Sequence, residues 1–265
     1  MQGAGLVPKF NANLTFLYTE VPFLERFERA AATGFKGVEY LFPYAFPREA
    51  IAEQLERHGL EQVLFDLPSG NWEGGERGIA VLPDRVGEFQ EGVGQAIGYA
   101  KVLGCRKLTC LVGKTPPGVP AERVHRTLIE NLRFAAQALH REGIQLLVEP
   151  LNSQDIPGFH LVHSRDTLRV LDEAEHSNLW LQYDIYHMQI MEGNLTQTIR
   201  AHLSRIPHMQ LADNPGRNQP GTGEIHFENL FRAIDEAEYQ GWIGCEYKPT
   251  GRTEDSLNWV LPYLS

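Results

Sequence analysis

Cysteine is scarce in this chain of 265 residues: Cys105, Cys110 and Cys245 form no CxxC pair and no even-numbered framework. A disulfide scaffold and a thiolate zinc site are therefore excluded. Long apolar runs are also missing. No stretch approaches the roughly 18 residues that a membrane helix needs. The opening segment MQGAGLVPKF lacks the apolar core of a signal peptide, so the expectation is a cytoplasmic chain with reduced thiols. Positive charge is in short supply, with 24 Lys and Arg against 34 Asp and Glu and a formal charge of −10. Sequence-independent phosphate binding needs clustered Lys and Arg, so the charge argues against nucleic acid, and no nucleic-acid partner is expected.

Several chemical signatures are absent too. No GxSxG and no HExxH occur. GVGQAIG (Gly92 to Gly98) lies inside a helical pattern instead of between a strand and a helix, and reads as close helix packing. Gly113-Lys114-Thr115 lacks the glycine that a phosphate loop requires five residues earlier, where Leu108 stands. Lys114 follows the fourth apolar run and is a candidate substrate contact. The sequons at Asn13 and Asn194 carry no weight in an unexported chain.

What is present is an alternation in a chain that is 42% hydrophobic and 22% charged, a globular composition. Short apolar runs are predicted as strands at 11–16, 37–42, 62–67, 107–112, 144–149, 179–184, 208–212 and 243–247. Amphipathic stretches are predicted as helices at 21–33, 48–58, 85–103, 121–142, 164–173, 195–203 and 227–238, with a last one from about Thr253. Gly34, Gly59, Gly104 and Gly143 stand where helices stop. The run Ile144 to Glu149 is the most apolar, as befits a strand covered on both faces. Eight such units favour an α/β fold, a (β/α)8 TIM barrel forming a single domain over 1–265, over a doubly wound open sheet.

In such a barrel, function sits at the C-terminal ends of the strands. Four of these ends carry an oxygen donor: Glu149 in LLVEPLN, Asp184 in LQYDIYH, Gln210 in HMQLADN and Glu246 in IGCEYKP. Their spacings of 35, 26 and 36 residues each fit one strand-helix unit, which lets them converge on one mouth. A buried carboxylate needs compensation. Each acid either pairs with its own Arg or Lys, or shares a cation with the others. Three carboxylates and an amide oxygen form a hard donor set, suited to Mg²⁺, Mn²⁺ or Ca²⁺ more than to zinc.

Around these donors stand further candidates. His187, three residues after Asp184, is a hydroxyl-binding or acid group, or a packing residue. Arg217, in the Gly/Pro-rich loop ADNPGRNQPGTGE, suits a carboxylate clamp. Glu224 in that loop is either a partner for the site or an acid near a helix start. Lys248 lies on the same side of an extended strand as Glu246, and either neutralises it or touches substrate. Arg77 and Trp72, in the polar loop 68–83, are lid candidates. That loop either closes over substrate or forms a contact in a homo-oligomer.

Together, the segments NANLTFLYTEVPFLERF, GVEYLFPY, GNWEGGERGIA, CLVGKTP, VEPLN with DIPGFHL, QYDIYHMQIMEGNLT, HMQLADNPGR, PGTGEI and GCEYKP resemble the hydroxypyruvate isomerase family of the xylose-isomerase-like superfamily. The resemblance spans essentially the whole chain. It implies a TIM barrel that interconverts hydroxypyruvate and tartronate semialdehyde. It also implies that Glu149 and Glu246 are paired catalytic glutamates. Metal-binding relatives in the superfamily hold a divalent ion at positions matching Glu149, Asp184, Gln210 and Glu246; many have His where this chain has Gln210. Its DNA repair endonucleases use several further His ligands that this chain lacks. The expected chemistry is an enediol proton transfer in which His187 shuttles a hydroxyl proton and Arg217 holds the substrate carboxylate of a small keto or hydroxy acid. An isomerase or epimerase of a 2-oxo-tetronate or ketose would use the same machinery. A non-catalytic sugar-binding barrel would be expected to lack the strand-end acids.

Overall fold

The computed structural model describes residues 8–264. Its eight parallel strands are β1 (Lys9–Asn13), β2 (Gly37–Tyr40), β3 (Glu61–Asp66), β4 (Lys107–Cys110), β5 (Gln145–Val148), β6 (Leu179–Asp184), β7 (His208–Leu211) and β8 (Trp242–Cys245). They close into a barrel in sequence order. The helices are α1 (Arg26–Thr33), α2 (Arg48–His58), α3 (Val86–Leu103), α4 (Ala121–Arg141), α5 (Ser164–Glu173), α6 (Ile185–Met191), α7 (Leu195–His202) and α8 (Phe227–Glu236). None of the described helices is long and apolar enough to cross a membrane. All three cysteines are free and buried.

Internal contacts group the chain into two units, one of Met1–Tyr40, Ala50–Val63 and Tyr183–Ser265, the other of Leu41–Glu49 and Leu64–Gln182. In the first, β1 pairs with β2 and β8, and β7 with β8. The register sets Asn13 opposite Glu39, and both Asn11 and Gln210 opposite Gly244. Polar side chains from three strands thus share neighbouring rows. An aromatic cluster of Phe10, Phe231, Trp259 and Tyr263 packs at ring distances of 5.1–5.8 Å. In the second unit, β4 pairs with β3 and β5, and β5 with β6. Helix α4 buries Val124, Leu128, Leu132, Ala135 and Leu139, the three- and four-residue spacing of one helical face.

Several boundaries differ from the sequence expectation, for local reasons. A 3-10 turn, Phe23–Glu25, precedes α1. Helix α6 begins directly at the end of β6, because the Asp184 side chain accepts the Tyr186 N–H at 2.8 Å and caps it. Seven residues are too few to display a helical period, so this helix has no sequence signature. Among the described residues no α-helix follows Thr253; the chain makes two 3-10 turns, Glu254–Ser256 and Leu261–Tyr263. Pro262 has no N–H to give to a helix there.

The loop 68–83 leans on the segment after β4 through a backbone approach that only glycine permits. A Cβ on Gly78 would lie 1.9 Å from the Leu111 carbonyl oxygen, and its φ is +115°. Gly94, in α3, has open space around it. Gly78→Ala is therefore expected to destabilise the protein by at least about 2 kcal/mol. Gly94→Ala should stabilise it by about 0.5–1 kcal/mol. Thermal unfolding midpoints of the two variants check this; equal midpoints would refute the close-approach reading.

Candidate active site

The first unit gathers a buried polar layer from β1, β2, β7 and the ends of β6 and β8. Glu39, in the middle of the apolar run GVEYLF, is wholly buried. Its carboxylate accepts hydrogen bonds from Asn11 Nδ2 (2.8 Å), Asn13 Nδ2 (3.0 Å) and Gln210 Nε2 (2.8 Å). His208 Nε2 lies 2.7 Å from Oε2, the oxygen that also accepts from Asn11. Room for this carboxylate comes from Gly244, where a Cβ would sit 2.2 Å from Glu39 Oε1. Burial pushes the Glu39 carboxyl upward, but the His208 charge and the bonds from His208, Gln210 and Asn11 outweigh it and hold the group below the usual range.

Glu246 follows β8 by one residue and is buried. Its Oε2 accepts Asn13 Nδ2 at 2.9 Å and also Gln210 Nε2. Its Oε1 accepts Arg217 Nη2. The same guanidinium nitrogen is 3.8 Å from Asp184 Oδ2. The Arg217 guanidinium also lies 4.9 Å from the Phe16 ring centre and 5.2 Å from that of Tyr186. One cation thus serves two buried carboxylates, with a third, Glu39, behind them.

The acid-base consequences follow from this imbalance. Burial raises the Glu246 carboxyl to about 8; Arg217 opposes the rise, while Asp184 and Glu39 add to it. Burial raises Asp184 to about 6, against Arg217 and the backbone N–H groups of Tyr186 and His187. His187 lies on α6, fully buried, with Nε2 3.5 Å from Asp184 Oδ2. Burial, and then the Arg217 charge, push its imidazole well below the ordinary range, so it is neutral at pH 7. Asp184 Oδ1 caps α6, whereas Oδ2 is buried and accepts no hydrogen bond among the described residues.

Of the residues singled out in the sequence, Asp184, His187, Gln210, Arg217 and Glu246 lie in this unit within one network. The Gln210 amide nitrogen faces both Glu39 and Glu246, which turns its oxygen away from the two acids. Arg217, expected to clamp a substrate carboxylate, here holds Glu246. Lys248 is exposed; its backbone N–H donates to the Arg217 carbonyl at 2.7 Å, and Arg217 is the cation on Glu246. Glu224 is exposed and accepts from Gln189 (3.1 Å) and Asn214 (2.8 Å).

The second unit carries the others. Glu149 follows β5 by one residue and, like Asp184 and His187, is a buried group able to ligate a metal. Lys114 is exposed and donates from Nζ to the Gly75 carbonyl at 3.0 Å. Arg77 donates to the Trp72 carbonyl at 3.0 Å and stacks over that ring at 4.0 Å; Trp72 packs on Phe42 at 4.9 Å. Glu39, His208 and Asn11 escape a search confined to strand ends, and Asn13 escapes because β1 ends at it, three residues before the end expected from sequence. The signal for Glu39 was a carboxylate inside an apolar run.

Residues 27–263 match the family model of the xylose isomerase-like TIM barrel. The chain is 52% identical to a hydroxypyruvate isomerase of Escherichia coli (strain K12), over 96% of this chain and 99% of that one. It is 42% identical to a 2-oxo-tetronate isomerase of Pectobacterium atrosepticum, over 97% and 98% of the two chains. The crystal structure of an AP endonuclease, family 2, from Brucella melitensis superposes with a TM-score of 0.94 at 44% identity, covering 97% of this chain and 99% of that one. With this match along nearly its whole length, the chain belongs to the xylose isomerase-like TIM barrel family.

Proposed function

We propose that this protein is an intramolecular oxidoreductase that interconverts hydroxypyruvate and tartronate semialdehyde (2-hydroxy-3-oxopropanoate). The observation that carries the reading is the 52% identity with a hydroxypyruvate isomerase across the chain. It is joined by a buried carboxylate, Glu246, held among proton donors at the end of β8.

The reaction moves one proton from C3 of hydroxypyruvate to C2, and one hydroxyl proton from O3 to O2, through an enediol. Glu149 and Glu246 divide the removal and return of the carbon-bound proton. Proton transfer of this kind is typically worth about 10²–10⁴-fold. Neutral His187 relays the hydroxyl proton, since an unprotonated imidazole can both accept and donate. Arg217 exchanges its hold on Glu246 for the substrate carboxylate, a planar partner of the same geometry.

The donor set fits a divalent cation. Two buried acids share one guanidinium, and Asp184 Oδ2 is an acceptor without a hydrogen bond among the described residues. Glu149, Asp184 and Glu246, with Gln210 once its amide turns to present oxygen in place of the nitrogen that now faces Glu246, would hold Mg²⁺ or Mn²⁺. Bound there, the ion would polarise the carbonyl and favour loss of the neighbouring C–H proton.

A second reading is favoured by the 42% identity to a 2-oxo-tetronate isomerase, whose named substrate is one carbon longer. Turnover of both acids by the wild type and by Glu149→Gln and Glu246→Gln decides between these accounts. The expected result is a higher kcat/KM for hydroxypyruvate and losses of about 10²–10⁴-fold in each variant. Preference for the four-carbon acid would favour the second reading, and retained turnover in both variants would remove the paired-glutamate chemistry.

The raised Glu246 carboxyl also has a consequence for stability. The folded chain keeps this proton up to about pH 8, whereas an unfolded glutamate loses it near 4.3. The folded state therefore holds this extra proton in that window, and the contribution of Glu246 to stability is lost as pH rises from about 5 to 8, by at most about 1.4 kcal/mol per pH unit for one proton. In metal-free protein, Glu246→Gln should flatten this slope. Urea unfolding between pH 5 and 8.5 checks it, and an unchanged slope would contradict the assignment.

A further inference from the structure

The loop after β7 carries Arg217, yet its Gly/Pro-rich sequence has no helix or strand to fix its path. Arg217 itself has φ +57°, in the left-handed region, and the loop also holds Gly216 at +100° and Gly221 at +91°. A non-glycine residue stays in that region only when its surroundings impose it.

The surroundings centre on one side chain. Asp213, just beyond β7, is wholly buried. Its Oδ1 accepts the backbone N–H groups of Asn214 (2.9 Å) and Ile225 (3.1 Å). Its Oδ2 accepts those of Gly221 (2.9 Å), Thr222 (3.1 Å) and Gly223 (2.8 Å). Five donors from both ends of the loop thus meet one carboxylate. The Asp213 N–H donates to the Asn218 carbonyl at 2.8 Å, and the Glu224 N–H to that of Asn214 at 2.7 Å. Gly223 packs so closely that a Cβ there would lie 2.6 Å from Asp213 Oδ1. The loop is also tied to other segments: Lys248 donates from its N–H to the Arg217 carbonyl (2.7 Å), Asn218 Nδ2 donates to the Lys248 carbonyl (2.8 Å), Gln219 bonds to Thr250 (2.8 and 3.1 Å), and Gln189 Nε2 donates to Glu224 (3.1 Å).

We propose that Asp213 is the positioning residue of the site, whose carboxylate folds the 213–225 loop so that the Arg217 guanidinium lands between Glu246 and Asp184. Bonds from N–H groups to a charged acceptor are the stronger kind, and both oxygens are used. Asparagine cannot replace it, because one oxygen becomes an NH₂ that faces N–H donors. Asp213 touches none of the reacting atoms in this scheme; it acts through Arg217. The kinetic consequence rests on the hydroxypyruvate reading, whereas the structural one does not.

The test combines amide hydrogen exchange with a double-mutant cycle on Asp213→Asn and Arg217→Met. In Asp213→Asn, exchange at Gly221, Thr222, Gly223 and Ile225 should quicken about tenfold or more, the loss of one such bond each. Its kcat/KM for hydroxypyruvate should fall about tenfold or more, mainly through KM. The double variant should be no worse than Arg217→Met alone, because the two residues act in series. Losses that multiply in the double variant, or loop amides still protected in Asp213→Asn, would overturn the proposal. If the wild type leaves hydroxypyruvate unchanged, the substrate reading fails, and the exchange result alone decides the role of Asp213. If Asp213→Asn does not fold, Gly221→Ala, an exposed change that strains the same loop, takes its place with the same expected coupling to Arg217.

Discussion

A single guanidinium set against two buried carboxylates governs this site. Arg217 reaches both Glu246 and Asp184, while Glu39 adds a third acid behind them. A carboxylate out of water is costly, and its charge is tolerated only where donors and cations make up the loss. Here the donors are many, and Glu246 and Asp184 share the one guanidinium of Arg217. The imbalance raises both carboxyls toward neutral pH, where a group can take up and give back a proton. It also creates a demand for positive charge that a divalent ion would meet.

The barrel supplies this arrangement through register. Asn13 stands opposite Glu39, and Asn11 and Gln210 flank Gly244, so side chains far apart in sequence reach one layer without long loops. Gly244 contributes by having no side chain, which leaves space for the Glu39 carboxylate. Glu39 then anchors the amides of Asn13 and Gln210, and both amides also donate to Glu246. Glu246 is thus oriented by an acid, Glu39, that accepts bonds on both its oxygens, an order of support that a rigid strand scaffold provides well.

Much of the fold was legible because the alternation of strand and helix is regular and glycines mark the helix ends. Gly34 and Gly104 do take left-handed conformations at the ends of α1 and α3. What was not legible was short or non-local. Helix α6 depends on a cap from Asp184, and a residue chosen for its acidity gave no hint of capping. The expected last helix ignored Pro262. In the site, Asp184 and Glu246 stood out as acids closing apolar runs, and Gln210 as an amide interrupting one. Glu39 and His208 were hidden because they lie within strands, where a polar residue makes sense only once its partners from other strands are known. Asp213 was hidden for the opposite reason, since an acid in a Gly/Pro-rich loop looks solvated until its five backbone partners are seen.

The proposed function depends on this acid-rich layer sharing one cationic centre. Anomalous diffraction from crystals of the protein soaked in Mn²⁺ and a hydroxypyruvate analogue tests it most directly. The account predicts a manganese peak bonded to oxygens of Asp184, Glu246, Glu149 and Gln210, with Arg217 released from Glu246 and turned to the carboxylate of the analogue. A map with no peak at these oxygens, and Arg217 still on Glu246, would contradict it.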